Sequence, residues 1–155
     1  MTNDSKKRDY DSSMVCALCH AREHEPERIV YRNEFIFVLL NFEPIKDGHL
    51  MILPLQHREQ LSDLSPEEAE AFLKAADTCM HLVKEVYNET PMYVVNGQGF
   101  RSQKHLHAHV LPSKHPLRGL YEAAEGTKNR LRAEAHELMR VADVLRTARE
   151  RLHLF

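Results

Sequence analysis

Apolar residues recur along this chain with two different periods, and each period predicts its own elements. "RIVYRNEFIFVLLN" (Arg28–Asn41) is dense in β-branched and aromatic residues. Such residues suit a pleated, half-buried surface, so the run predicts two strands, about Arg28–Arg32 and Phe35–Asn41, turning at Asn33-Glu34. "FEPIKDG" follows as a loop punctuated by Pro44 and Gly48. "HLMILP" (His49–Pro54) is a short apolar run between breakers, hence a third strand. The period then lengthens. Ala69, Phe72, Leu73, Ala76, Met80, Val83 and Tyr87 fall on one face of a helix. Ser65 is its N-cap, Pro66 its first residue, and Ser65 with Glu68 completes a capping box. Pro91 forces a change, and "MYVVN" predicts a strand ending at Asn96. "GQGFRSQ" is a glycine-containing loop, "KHLHAHVLP" a further strand, and "SKHPLRG" an irregular basic stretch. Leu131, Ala135, Leu138, Ala142, Leu145 and Leu152 mark a second amphipathic helix, from about Lys128 to His153.

Strands in hairpin-like runs followed by helices imply an α+β protein, with a mainly antiparallel sheet and a long helix packed on it. The 155 residues fit one domain with a real core. The expected organisation is a disordered leader at 1–13, a domain at 14–127, and a C-terminal helix at 128–155 packed on that domain. A hydrophobic share of 43% and a charged share of 28% are ordinary for a soluble globular chain. The net charge of -2 gives no pull towards nucleic acid or an anionic membrane. No apolar run is long enough to span a bilayer. "MTNDSKKRDYDSS" lacks the apolar core of a signal peptide, so a cytoplasmic protein with reduced thiols is expected.

Two clusters carry candidate chemistry. Cys16 and Cys19 form "CALC", which reads as a redox dithiol or as half a metal site. Its place before any strand favours metal, since thioredoxin-type motifs lie between a strand and a helix. Cys79 sits inside the helical pattern and reads as a small buried residue. The second cluster is His105, His107 and His109, which alternate with Leu106, Ala108 and Val110. Side chains alternate faces along a strand, so the three imidazoles share one face and the apolar residues the other. One histidine on a strand is usually structural. Three on one face each leave a ring nitrogen needing a partner, which packing does not explain. Either all three bind one metal, or the middle one is a nucleophile with neighbours that set its tautomer and serve the leaving group.

The flanking residues resemble the histidine-triad (HIT) superfamily of nucleotide hydrolases and transferases. "HLHAHVL" fits that family's H-x-H-x-H-x-x signature. "PIKDGHLMILPLQH" (Pro44–His57) fits its upstream P-x-x-x-G-H-x-x-x-x-P-x-x-H pattern, and "VVNGQG" resembles the strand and loop between the two. The resemblance runs from Cys16 to Pro112. It implies that His107 attacks the α-phosphorus of a nucleotide, a purine nucleotide with adenine first, and that His109 serves the leaving group. It implies that Asn96 and Ser102 bind the phosphate region, that Asn41 binds the ribose, and that the Phe35–Leu40 strand supplies the base pocket. The plain alternative for Asn41 is a strand-end turn. His49 would support the triad, or simply cap a strand. Related zinc-containing members imply structural zinc on Cys16, Cys19, His57 and His105; two thiolates and two imidazoles make a closed tetrahedral set. His20 and His24 lie near enough to compete. A homodimer is implied by analogy.

Where many members carry glutamine four residues before the first triad histidine, this chain has Arg101, with Gln103 two before it. Either Arg101 holds phosphate with its planar fork, or Gln103 reaches in from a shifted loop. Two activities are open at this stage. One is a nucleotide hydrolase or nucleotidyltransferase acting on dinucleoside polyphosphates or nucleoside phosphoramidates. The other is a zinc-containing nucleotide-binding or sensing module with weak catalysis.

Overall fold

The structure, a computed structural model, describes residues 16–126 and 133–153. The expected leader at 1–13 and the first residues of the expected C-terminal helix lie outside the described residues. The chain divides into two units, residues 1–114 and 115–155.

The first unit is built on five antiparallel strands: β1 (Ile29–Arg32), β2 (Ile36–Leu40), β3 (Leu50–Pro54), β4 (Thr90–Val95) and β5 (Ala108–Ser113). Their order is β1-β2-β3-β5-β4, so the histidine-bearing strand lies between β3 and β4. The β1–β2 hairpin turns where the pattern placed it. The Asn33 side-chain oxygen accepts the backbone N–H groups of Phe35 and Ile36, at 2.9 and 2.8 Å, which is why asparagine suits that corner.

Both faces of the sheet are covered, and the strand period sorts its residues between them. Ile36 and Val38 of β2, Leu50 and Ile52 of β3, and Leu106, Ala108 and Val110 form one core with Phe72, Ala76, Cys79 and Val83. Those last four belong to the long helix α2 (Pro66–Tyr87), which starts and ends where the sequence predicts. The alternate residues Phe37, Leu39, Met51 and Leu53 form a second core with Leu18 and Ala21. Those two come from a short helix, α1 (Ala17–His24), that the sequence pattern did not reveal. Burying each large apolar side chain in these layers stabilises by about 1.5–3 kcal/mol.

Three expectations need correction. Leu73 was placed on the core face of α2, but it is 66% exposed. It follows Phe72 by one residue, a rotation of about 100° that carries it off the packed stripe. The histidine strand starts at Ala108, so His105 and His107 lie in the irregular approach to it. "SKHPLRG" is not wholly irregular, because α3 (Leu117–Glu125) starts within it. Pro116 is the residue before that helix and does not break it. Gly126 ends α3 with φ +65, in the left-handed region glycine adopts readily. Within the described residues the C-terminal helix, α4, spans Ala135–Arg151 and buries no residue.

Candidate active site and metal cluster

Cys16 caps α1, and its side chain makes no capping hydrogen bond. Its sulfur is therefore available to the next turn and to the sheet. Leu18 and Ala21 seat α1 on the second core, and an Arg22 guanidinium N–H donates to the Leu55 carbonyl just past β3. The result gathers four side chains from three distant parts of the chain. The donor atoms of Cys16, Cys19, His57 and His105 all lie within 4.8 Å of one another. Cys19 Sγ is 3.3 Å from His105 Nδ1 and 3.5 Å from His57 Nδ1, and Cys16 Sγ is 3.7 Å from His105 Nδ1.

The chemistry of this set suits a metal. His105 Nε2 lies 3.1 Å from the Pro54 carbonyl, which can only accept, so Nε2 carries the proton and Nδ1 offers its lone pair to the cluster. His57 points its Nδ1 inward as well, with Nε2 4.0 Å from the Glu59 carboxylate. Burial, then His57, pushes His105 down to about 4, so it stays neutral, as a ligand must. Burial, then the Cys16 charge, pushes the Cys19 thiol up to about 11. A bound cation reverses that last effect by favouring the thiolate.

His107 and His109 are not in this cluster. His105 is turned to the cysteines, so the three histidines do not converge on one ion among the described residues. The His107 ring is buried, and its Nδ1 is 2.8 Å from the His105 carbonyl. A carbonyl cannot donate, so the proton is on Nδ1 and the Nε2 lone pair is exposed to the cavity. Burial holds His107 below the ordinary histidine value, helped by the Arg101 charge, while its bond to the His105 carbonyl works the other way.

A chain of bonds sets the tautomer of His109. The Ile45 N–H donates to His49 Nδ1 at 3.2 Å. His49 must then carry its proton on Nε2, which is 2.9 Å from His109 Nδ1. His109 accepts there, so its own proton sits on Nε2. The Asn96 side-chain amide lies 3.5 Å from that nitrogen and accepts its proton when the amide oxygen is the atom turned inward. Burial, then His107 and His49, pushes His109 down to about 4. Burial also lowers His49. His49 is therefore a buried member of this relay and not merely a strand cap.

His107 and His109 line a cavity of about 810 Å³, within the usual range for small-molecule sites. Ser102 and Gln103 stand beside them, and Asn41 lies on the same wall. Asn41 also makes the strand-end turn, its side-chain oxygen accepting from the Glu43 N–H at 3.0 Å. The expectation that Phe35–Leu40 walls the cavity is not met, because Ile36–Leu39 are spent on the two cores. The far wall comes instead from α1 and its sequel, through His20, His24, Glu25 and Arg28, with Phe42. The His20 and His24 rings lie 4.5 Å apart between centroids, tilted by 42°, and Arg28 lies 5.4 Å over the Phe42 ring. The C-x-x-C helix was the available signal for this wall, once recognised as a helix. Arg101 does not line the large cavity. It lines a smaller one of about 260 Å³ with Glu59, Gln98, Gln103 and Lys104.

The chain is similar to known proteins of one family. The family model described as "HIT domain" matches residues 22–116. The bis(5'-adenosyl)-triphosphatase of Saccharomyces cerevisiae is 30% identical over 90 residues, which are 56% of this chain and 44% of that protein. This chain thus spans less than half the length of that relative. A HIT family protein from Bacillus subtilis has the same fold, with a TM-score of 0.64 at 17% identity, covering 86% of this chain and 96% of that one. A Zn-bound histidine triad family protein from Mycobacterium smegmatis superposes with a TM-score of 0.57 at 21% identity, covering 68% and 79%.

Proposed function

The chain belongs to the HIT domain family, and from that premise we propose that it is an enzyme that cleaves nucleotides at the α-phosphate through a nucleotidyl-histidine intermediate. The observation that carries this reading is the bond from His107 Nδ1 to the His105 carbonyl. It leaves a neutral imidazole with one lone pair directed at the cavity, the form in which histidine is a nucleophile. His107 Nε2 attacks phosphorus as the bond from phosphorus to the leaving oxygen breaks. His109 keeps its Nε2 proton and donates it as a hydrogen bond to the departing oxygen, while His49 holds the His109 tautomer. Water then attacks the phosphorus, the bond from phosphorus to His107 Nε2 breaks and returns its electron pair to that nitrogen, the surplus water proton goes to solvent, and nucleoside monophosphate leaves. Ser102, Gln103 and Asn96 supply hydrogen bonds to the phosphate, and Asn41 to the ribose. Such transfer depends on positioning and charge stabilisation, which this fixed relay provides.

The substrates are adenine-containing dinucleoside polyphosphates. The yeast relative's name supports that class. Zinc is the cation we assign to Cys16, Cys19, His57 and His105, a closed set that pins α1 to the sheet. The Zn-bound relative supports this choice. The test is His107→Asn, assayed with adenylated and guanylated substrates. Turnover falls by at least about 10³-fold while nucleotide binding persists. Undiminished turnover contradicts the proposal.

A further inference from the structure

The smaller cavity adjoins the larger one, since Gln103 lines both. Its volume of about 260 Å³ is below the usual range for a drug-sized ligand, and suits a small polar group. Two of its five lining residues are cationic, Arg101 and Lys104, and neither forms an ion pair among the described residues. Among the described residues Arg101 is held by one hydrogen bond, Nη1 to the Glu59 carbonyl at 2.7 Å. Its Nε is buried with no hydrogen-bond partner. A buried guanidinium N–H left unpaired costs about 1–3 kcal/mol, so Arg101 keeps hydrogen-bonding capacity that no described protein group uses. Glu59 also lines the cavity, but its carboxylate lies 4.0 Å from His57 Nε2. The remaining polar groups, Gln98 and Gln103, can donate to an anion.

We propose that Arg101, with Lys104, binds the phosphate chain of the leaving group, so that the enzyme selects substrates whose leaving group is a polyphosphate over those whose leaving group is an amine. The inference rests on nucleotidyl transfer to His107 and adds the residues that select the leaving group. As the bond from His107 Nε2 to the α-phosphorus forms, the bond from phosphorus to the bridging oxygen breaks. The electron pair goes to that oxygen, and the departing nucleoside polyphosphate gains negative charge. Arg101 stabilises that charge from the side away from the nucleoside being transferred. An amine leaving group carries no phosphate to reach this cavity. A glutamine at this position, which the family resemblance implies, is neutral and would supply no such charge.

The experiment compares wild type, Arg101→Gln and Arg101→Lys with two substrates that share the transferred adenylyl group, diadenosine tetraphosphate and adenosine phosphoramidate. Arg101→Gln is expected to lower kcat/KM for the tetraphosphate by about 10- to 100-fold, and for the phosphoramidate by less than about threefold. Arg101→Lys, which keeps the charge, recovers part of the difference. Equal loss on both substrates overturns the proposal, because it reports only the structural bond to Glu59. No loss on either overturns it too. Inorganic triphosphate, titrated calorimetrically, separates this result from the parent reading. Weaker binding to Arg101→Gln than to wild type supports the anion site even if neither substrate turns over, whereas equal binding overturns it.

Discussion

Replacing Glu68 by alanine tests how the triad segment is held. Glu68 is buried, 5% exposed, at the first turn of α2. Its carboxylate accepts the Ser65 N–H at 2.8 Å and the Arg58 Nε and Nη2 groups at 3.0–3.2 Å. The Arg58 carbonyl in turn accepts the Leu106 N–H at 2.6 Å, between His105 and His107. Removing one partner of a fully buried ion pair costs about 3–5 kcal/mol. The Arg58 side chain is 35% exposed, so water relieves much of this, leaving about 1–2 kcal/mol. The lost capping bond adds about 1 kcal/mol. The sum, about 2–3 kcal/mol, lowers Tm by about 4–12 °C in a chain of this size. Glu68→Gln keeps one acceptor oxygen for the Ser65 N–H and Arg58 Nε but turns an NH2 group towards Arg58 Nη2 and removes the charge, so it recovers only part of the loss. Burial tends to raise the Glu68 carboxyl, but Ser65 and Arg58 outweigh it and hold the group below the ordinary glutamate value. Its contribution is therefore present above about pH 4.5 and is lost as pH falls through the lower folded value. Thermal unfolding measures the stability, and amide exchange at Leu106 measures the link to the triad. An alanine variant within about 0.5 kcal/mol of wild type, with Leu106 exchange unchanged, refutes the reasoning.

The other predictions concern the imidazoles, the metal and one glycine. NMR titration of the folded protein gives His109 a midpoint near 4; a midpoint at or above 6.5 contradicts the buried relay. Because this value is depressed, His109 contributes stability above about pH 6.5 that is lost as pH falls towards 4. Cys16→Ser or Cys19→Ser loses bound zinc in elemental analysis and lowers Tm, whereas His107→Asn keeps full zinc. Zinc lost from His107→Asn overturns the division of the histidines into two sites. Gly48 has φ +82, and a Cβ there lies 2.2 Å from the Tyr87 ring, so Gly48→Ala destabilises by at least about 1–2 kcal/mol. Chemical denaturation that shows no loss refutes this.

The sequence makes the long helix and the sheet legible because their signals are local. Ser65, Pro66 and Glu68 announce the start of α2, and a period of two sorts Ile36–Leu39 and Leu50–Leu53 between two buried faces. The triad and its flanking motif are legible because each occupies a short run. What escapes is set by contacts across the chain. The helix α1 is eight residues, half of them charged or imidazole, so its apolar period is too weak to read. Its role as cavity wall depends on docking against β2 and β3. Leu73 fits the helical stripe as a letter, yet lies off it by one residue's rotation. The direction of Arg101 is settled by the Glu59 carbonyl, 42 residues earlier, and no local pattern encodes that bond.

The most direct test is to trap the covalent intermediate. Wild-type protein is mixed with diadenosine tetraphosphate, quenched within milliseconds at alkaline pH, digested and analysed by mass spectrometry. An adenylyl group on the peptide carrying His107, acid-labile and absent from His107→Asn, is the predicted result. Steady turnover with no adenylyl-protein, or with the label on another residue, contradicts nucleotidyl transfer through His107.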